Sequence, residues 1–266
     1  MVGRLVALAL GGALVLAPGF AWAQAACTQL TVTGHPEYPP VGYRDGEAIA
    51  GAGAMLVKEI ADKLGIPVVL RYTGSWDDAQ AATRTGAADI IFGIYYNDQR
   101  ATYLDYVQAP FMIDPAVIMV RRGSGFAFAG QNDLIGRRGV TNLGESYGVA
   151  FDAFMAQSLM VARAQGVDAV FAELLEGRAD YMIMGLYPGL AKAQELGIAD
   201  RIEVLAPTVV DADMFVAFSK LSPCLALMTT FATEIAAMRA SGRIDALIVE
   251  ATAIWNASIQ PAPAPR

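Results

Sequence analysis

The amino-acid sequence predicts an α/β protein of two similar lobes, each built on a mostly parallel sheet flanked by helices. Two observations predict this class: strand-like and helix-like segments alternate from Leu30 onward, and one short motif occurs twice. Such alternation is typical of parallel strands connected by helices. Of the 266 residues, 55% are hydrophobic and 17% charged, which is enough apolar material for a substantial core.

The elements of the first lobe follow from local patterns. Glycine and proline after a periodic segment mark where a helix ends, as Gly65 does. The predicted elements are a strand over 30–33, a Pro-rich turn over 36–40, a helix over 53–64, a strand over 68–72, a helix over 77–85 and a buried strand over 90–94.

The second lobe is predicted to begin near Ile113. Its elements include a short helical turn after Asp133, a strand over 138–141 and a last strand over 214–218. A helical pair over 225–240 and 244–255, broken at Ser241, then follows. We assign 26–112 and 218–258 to the first lobe, 113–217 to the second, and 259–266 to a flexible Pro-rich tail that cannot continue a helix.

The repeated motif suggests where a ligand binds. Gly86-Ala-Ala-Asp89 and Gly177-Arg-Ala-Asp180 each lead into an apolar strand that ends in Gly-aliphatic-Tyr. In open α/β sheets, ligands bind beyond the carboxyl ends of the strands. The glycines would let the backbone approach a ligand and the tyrosines would face it from opposite sides, the alternative being tyrosines that only pack at strand ends. The residues concerned are Gly93, Tyr95, Gly185 and Tyr187.

Charge and residue counts exclude several classes of function. Nineteen basic residues against 26 acidic ones give a net charge of -7, which argues against nucleic acid or anionic lipid as the main partner. With one histidine, His35, and two cysteines, a zinc site of several His or Cys ligands is excluded. We expect no metal and no cofactor.

The first residues resemble a secretory signal peptide. Arg4 precedes an uncharged apolar run over 5–20, and small residues follow up to Ala25. We predict cleavage after Ala25, hence a signal peptide over 1–25 and a periplasmic mature protein. A membrane anchor is the alternative, but the run is short for a bilayer.

An exported protein can form a disulfide, and the two cysteines, Cys27 and Cys224, are the candidates. Such a bond would join the mature N-terminus to a late segment. Two free thiols or a lipid anchor at Cys27 are the competing interpretations. The anchor is disfavoured because Gln24-Ala25-Ala26 lacks an aliphatic residue three positions before the cysteine.

Several motifs, taken in order, resemble the family 3 solute-binding proteins of ABC importers, which bind polar amino acids. The resemblance covers essentially the whole mature chain. The motifs are Thr33-Gly-His-Pro-Glu-Tyr38-Pro-Pro40, Trp76-Asp77, the stretch from Gly86 to Gly93, Asn97-Asp-Gln-Arg100, Gly144-Glu145-Ser146, Gly177-Arg-Ala-Asp180, and the ending with Met238, Gly242, Asp245 and Trp255.

The resemblance implies a periplasmic-binding-protein fold of type II, with two crossings between lobes that close over a small ligand. Arg100 matches the arginine that holds the ligand carboxylate through two parallel hydrogen bonds. Tyr38 matches an aromatic residue that stacks on the ligand. Trp76 lies in a segment that supplies another apolar wall of the ligand site. In the second lobe, Gly144-Glu145-Ser146 matches a loop whose amides and hydroxyl meet the carboxylate.

Three positions depart from the family pattern. Glu145 stands where Ser or Thr is usual, so it either points away or binds a cationic group. Gly185 stands where an aspartate normally holds the α-amino group, so either Glu145 supplies the charge or the ligand is not an ordinary α-amino acid. His35 replaces an acidic or small polar residue, and it is either a donor to an extra anionic group or a turn residue without a ligand.

The leading hypothesis is therefore a monomeric periplasmic binding protein, not an enzyme, that captures a small carboxylate-bearing solute and delivers it to the permease of an ABC importer. Two alternatives use the same fold. One resembles cyclohexadienyl dehydratase and would need Glu145 or His35 as general acid. The other resembles the accessory proteins of periplasmic quinoprotein alcohol dehydrogenases, which have no need of Arg100.

Overall fold

The computed structural model describes residues 27–259, in which strands and helices alternate as expected. The predicted signal peptide and all but the first residue of the predicted tail lie outside this range. Within it, the strands are β1 (Leu30–Gly34), β2 (Glu37–Tyr38), β3 (Gly42–Asp45), β4 (Ala48–Ala50), β5 (Val68–Leu70), β6 (Ile90–Tyr95), β7 (Leu104–Tyr106), β8 (Met112–Arg121), β9 (Arg138–Asn142), β10 (Met160–Ala164), β11 (Tyr181–Gly185) and β12 (Ile202–Ser219).

The α-helices cover the faces of the sheet. They are α1 (Ala52–Lys63), α2 (Trp76–Arg84), α3 (Val149–Ser158), α4 (Val167–Leu175), α5 (Leu186–Glu195), α6 (Met228–Ala240) and α7 (Arg243–Ile259). Most predicted elements are confirmed to within a few residues. The last helix runs to Ile259, beyond the predicted end at 255, and β10, α3 and α5 are elements that the sequence patterns did not single out.

One nine-stranded sheet carries both lobes. Its order is β10-β9-β11-β8-β12-β6-β1-β5, with β7 also paired to β12. Strands β5, β1 and β6 are parallel and form the first lobe, and β10, β9 and β11 are parallel and form the second. Strands β8 and β12 lie antiparallel between the two groups, so they are the crossing strands.

The strand predicted over 214–218 is the end of a much longer one. Strand β12 pairs with β8 from Ile202 to Met214, with an irregularity between Leu205 and Val210, and then with β6 and β7 in the first lobe. The sequence pattern was misleading because its apolar alternation is interrupted by Pro207 and by two aspartates, Asp211 and Asp213. The lobe boundaries at 112/113 and 217/218 stay a prediction.

The repeated motif has the same structure in both lobes. In the first, the Asp89 carboxylate accepts the backbone N–H of Thr31 at 2.8 Å, and the backbone N–H of Asp89 donates to the Thr31 carbonyl at 2.8 Å. In the second, Asp180 and Arg138 exchange the same two bonds at 2.8 and 2.7 Å. Each aspartate thus fixes the start of its strand against the neighbouring parallel strand.

The predicted disulfide is confirmed. Cys27 and Cys224 are bonded across a sequence separation of 197, which ties the chain just before β1 to the turn that leads into α6. The reason is proximity imposed by the fold, since Cys224 is fully buried against the segment that carries Cys27. Among the helices of residues 27–259, none combines the length and the hydropathy needed to cross a bilayer.

We expect the double substitution Cys27→Ser with Cys224→Ser to lower the free energy of unfolding by about 3–5 kcal/mol, because the bond closes a long loop in the unfolded chain. Urea denaturation of the mature protein measures the difference. Reducing the wild-type protein should reproduce the loss, and reductant should leave the double variant unchanged. Equal stability of oxidised and reduced protein would contradict the expectation.

Candidate functional site

Most of the residues singled out from the sequence meet in the cleft between the lobes. The first lobe contributes residues from the ends of β1 and β6, from β2, from the start of α2 and from a 3₁₀ turn, Arg100–Thr102. The second lobe contributes the loop that follows β9. The residues brought together are His35, Tyr38, Trp76, Tyr95, Arg100, Gly144, Glu145 and Ser146.

Arg100 lies at the centre of this cleft and is only 3% exposed. Its Nε donates to Gln80 Oε1 at 3.0 Å and its Nη1 donates to the Tyr95 carbonyl at 3.0 Å, both in the first lobe. Its Nη2 donates to the Gly144 carbonyl of the second lobe at 2.9 Å. The side chain also lies 5.5 Å from the centre of the Trp76 ring.

The acceptors around Arg100 are all neutral. Within residues 27–259 no carboxylate lies within 4.0 Å of the guanidinium. A guanidinium has five N–H groups, and the three bonds described use three of them. A buried cation without a counter-ion is costly, since its solvation by water is only partly replaced. The site therefore favours an anion beside Arg100.

A cavity of about 430 Å³ opens onto Arg100, within the size range of small-molecule sites. Its walls come from both lobes and are largely polar. They comprise Asp77, Gln80, Arg84, Asn97, Gln99, Arg100, Tyr103, Leu143, Gly144, Glu145, Ser146, Asp152 and Arg163.

His35 and Glu145 connect the lobes across the cleft. His35 Nε2 lies 2.9 Å from Glu145 Oε1, and both side chains are nearly buried, 3% and 7% exposed. His35 Nδ1 accepts the backbone N–H of Glu37 at 3.0 Å, so Nε2 is the nitrogen that carries the proton and donates to Glu145. Glu145 thus faces the other lobe, and His35 donates to this protein's own carboxylate.

Trp76 is buried in a hydrophobic cluster of the first lobe, beside Arg100 and His35. Its ring stacks on His35 with ring centroids 4.7 Å apart, and it is 3% exposed. Its Nε1 is buried and has no hydrogen-bond partner among the described residues. Most buried donors in proteins have a partner, so this one is an exception.

Ser146 differs from what the resemblance implies. Its hydroxyl donates to the Asp152 carboxylate in α3, and the backbone N–H of Tyr147 donates to the same carboxylate at 2.8 Å. Asp152 thereby fixes the loop after β9 against the start of α3. The sequence reasoning missed this residue, although an aspartate in the first turn of a helix is a common stabilising feature.

Tyr38 and Tyr95 meet at a third residue, Asp114, which the sequence reasoning also missed. Both tyrosine hydroxyls donate to Asp114 Oδ2, at 2.8 and 2.9 Å, and lie 2.8 Å from each other. Asp114 is fully buried, and its Oδ1 has no hydrogen-bond partner within the described range. A carboxylate inside the apolar strand β8 was the signal that could have found it.

The two glycines of the repeated motif serve different purposes. Gly93 has a φ of 70° and is skipped in the pairing of β6 with β12, so it forms a bulge that favours glycine. Gly185 ends β11, where a Cβ would overlap the Tyr38 hydroxyl and the Asp114 carboxylate. The close approach of these groups therefore requires glycine at 185.

Tyr187 and Tyr95 do not face each other across the cleft. Tyr95 is 3% exposed within the cluster around Asp114, whereas Tyr187 is 46% exposed. The Tyr187 side chain lines a second, more apolar cavity of about 590 Å³ between α5 and α7. The two copies of the motif diverge at this point because β11 leads directly into α5, whereas β6 leads into a loop.

Comparison with known proteins identifies the family. The profile of the bacterial extracellular solute-binding proteins, family 3, matches residues 30–250. The chain therefore belongs to that family. No curated protein matches the chain significantly.

Solved structures share the fold over most of the chain. The amino acid ABC transporter substrate-binding protein AbpA from Streptococcus pneumoniae, bound to L-arginine, is 22% identical, with a TM-score of 0.71 and coverage of 88% of this chain and 97% of that one. A mutant of ArgBP from T. maritima is 22% identical, with a TM-score of 0.69 and coverage of 84% and 94%. A histidine kinase sensor domain with similarity to periplasmic binding proteins is 24% identical, with a TM-score of 0.70 and coverage of 84% and 95%.

These likenesses confirm the two-lobed periplasmic-binding-protein fold predicted from the sequence. At such identities they show the fold alone.

Burial raises the pKa of the Asp114 carboxyl from 3.8 to about 6, although hydrogen bonds from Tyr38 and Tyr95 act in the opposite direction. Between these two values the folded protein holds a proton that the unfolded chain has lost. Stability should therefore fall as the pH rises from about 4 to about 6, by about 3 kcal/mol, and stay lower above that range.

We expect Asp114→Asn to remove this loss, because the amide does not titrate. Urea denaturation of both proteins between about pH 4 and pH 7 measures it as a difference. Hydrogen bonds lower the pKa values of Asp78 and Asp180. Both groups titrate in the wild type and in the variant, so their contributions to the pH dependence of stability cancel in the difference. Parallel pH profiles for the two proteins would show that Asp114 is not the responsible group.

Proposed function

We propose that this protein is an extracytoplasmic solute-binding protein that captures a small carboxylate-bearing solute between its lobes and delivers it to the permease of an ABC importer. It binds the solute without chemical change and acts as a monomer. Membership of the solute-binding family supports the class of function. The class of solute is inferred from the residues that line the cleft.

The observation that carries the proposal is the buried, unpaired cation at Arg100. A carboxylate can take up N–H groups of the guanidinium in pairs, which matches the planar fork of arginine. The Gly144 carbonyl is the acceptor that comes from the second lobe. Separation of the lobes removes this acceptor, and a solute carboxylate would take its place in the binding-competent form.

The remaining walls suit a small solute. The cavity at Arg100 holds about 430 Å³ and has largely polar walls from both lobes. Two of the solved structures with the same fold are substrate-binding proteins of amino acid ABC transporters, one of them bound to L-arginine. We therefore place the solute among amino acids and related organic acids. No observation favours the dehydratase or accessory-protein alternatives.

Arg100→Ala should abolish solute binding. A ligand at 100 times its dissociation constant stabilises the folded protein by about 2.7 kcal/mol, which corresponds to a rise in Tm of roughly 5–11 °C for a chain of this size. A thermal-shift screen with amino acids and with amino-free carboxylates identifies the solute. The same screen on Arg100→Ala should show no rise, and Arg100→Lys should show a reduced one.

Arg178→Ala is the matched control, because Arg178 is exposed and pairs with Glu173 and Glu176 far from the cleft. It should keep the full rise. A cooperative melt of Arg100→Ala without solute shows that the variant is folded. A rise that persists in Arg100→Ala would refute the assignment of this residue.

Export is tested separately. Expression of the full chain in a Gram-negative host should yield a periplasmic protein whose first residue is Ala26, as measured by intact mass. The physical reason is the charged start, apolar run and small residues of 1–25. Replacing residues in the apolar run with arginine should retain the protein, uncleaved, in the cytoplasm. A cytoplasmic product from the unaltered chain would contradict the proposed localisation.

A further inference from the structure

One buried hydrogen bond crosses the cleft between two ionisable side chains. His35 lies in the turn that follows β1 of the first lobe, and Glu145 lies in the loop that follows β9 of the second. His35 Nε2 donates to Glu145 Oε1 at 2.9 Å, and the side chains are 3% and 7% exposed. Because the partners belong to different lobes, separation of the lobes breaks this bond and returns both groups to water.

Packing within the first lobe fixes the orientation of the His35 ring. The ring stacks on Trp76, with centroids 4.7 Å apart, and its centroid lies 5.1 Å from that of Tyr38. Its Nδ1 accepts the backbone N–H of Glu37, so the proton of the neutral ring is on Nε2 and is directed at the second lobe. All these partners belong to the first lobe, so the donor keeps its orientation whether or not the lobes meet.

The loop that carries Glu145 is held in the same way by the second lobe. Arg163 Nη1 in β10 donates to the Glu145 carbonyl at 2.9 Å, and the backbone N–H of Leu143 donates to the Ala164 carbonyl of that strand at 2.8 Å. Asp152 in α3 accepts from the residues that follow Glu145. Each half of the contact is thus ordered by its own lobe, so little further ordering is required when the lobes meet.

This pair differs from the neighbouring bond between the lobes, in which Arg100 donates to the Gly144 carbonyl at 2.9 Å. A solute carboxylate would compete for Arg100 but for no group of the pair, so the His35–Glu145 bond persists when the lobes close over a solute. Its acceptor is a carboxylate shielded from water. Hydrogen bonds to an ionised group are roughly twice as strong as those between neutral groups.

We infer that the bond between His35 and Glu145 is a latch that holds the lobes together without a solute and contributes equally to closure over any solute. The two residues therefore determine how firmly the cleft closes and not which solute it accepts. The latch goes beyond the function proposed above, which gives neither residue a role.

Small-angle X-ray scattering of the mature protein without added solute tests the latch, after unfolding and refolding to remove any co-purified solute. Separation of the lobes increases the radius of gyration. We expect the wild-type curve to match this structure, and Glu145→Ala and His35→Ala each to give a larger radius. The double variant should open no further than the single variants, because each removes the same bond. An unchanged radius in Glu145→Ala, or a further increase in the double variant, would overturn the inference.

Glu173→Ala is the matched control, because Glu173 is an acid of the second lobe that pairs with the exposed Arg178. It should scatter as the wild type does. Glu145→Gln keeps an acceptor for His35 but carries no charge, so its radius should lie between those of the wild type and Glu145→Ala. Cooperative urea unfolding shows that each variant is folded. If Glu145→Ala does not fold, Glu145→Gln and His35→Ala test the latch, and unchanged radii in both would overturn it.

A second readout uses the solutes that the thermal-shift screen identifies. A solute leaves only after the lobes separate, so Glu145→Ala should raise its dissociation rate by about 10- to 100-fold, the effect of one hydrogen bond to a charged group. Stopped-flow measurements should give the same factor for each solute that binds. An unchanged rate, or a factor that depends on the solute, would overturn the inference. The scattering test needs no solute, so a failure of the proposed function leaves its result in force.

Discussion

Antiparallel pairing between the two crossing strands, β8 and β12, joins the half-sheets into one sheet and sets where the cleft lies. The pairs run from Ile202 opposite Arg121 to Met214 opposite Met112, so the contact extends along almost all of β8. Parallel strands of each lobe attach to its outer edges. Their carboxyl ends point toward the boundary between the lobes, which is why loops from both repeats meet there.

Two charged side chains, Arg100 and Asp114, lie buried near this boundary, and among residues 27–259 neither has an oppositely charged partner within its own lobe. Arg100 has only neutral acceptors, and the buried Asp114 carboxylate accepts from the hydroxyls of Tyr38 and Tyr95. Isolated buried charges destabilise a fold, and proteins retain them mainly at functional sites. Tyr95 contacts both charges and keeps them apart, so the cleft has a positive and a negative end.

Contacts between the lobes also determine how much free energy a solute must supply. The Glu37 carboxylate accepts the N–H of Val167 at the start of α4 at 3.2 Å, His35 donates to Glu145, and Arg100 donates to Gly144. Each bond joins residues of different lobes. A solute that enters the cleft replaces some of these bonds with its own, so its measured affinity reports the difference between the two sets.

The sequence by itself determined the class of fold, most strand and helix positions, the repeat and the pair of cysteines, because these depend on local periodicity and on glycine and proline. It also identified Arg100 and most of the residues around it through their order along the chain. Only the tertiary structure placed Asp114 against Gly185, paired His35 with Glu145, and separated Tyr187 from Tyr95. These relations depend on strand register and on how the lobes meet. Both are determined by contacts between residues that are distant in the chain, so no local sequence pattern encodes them.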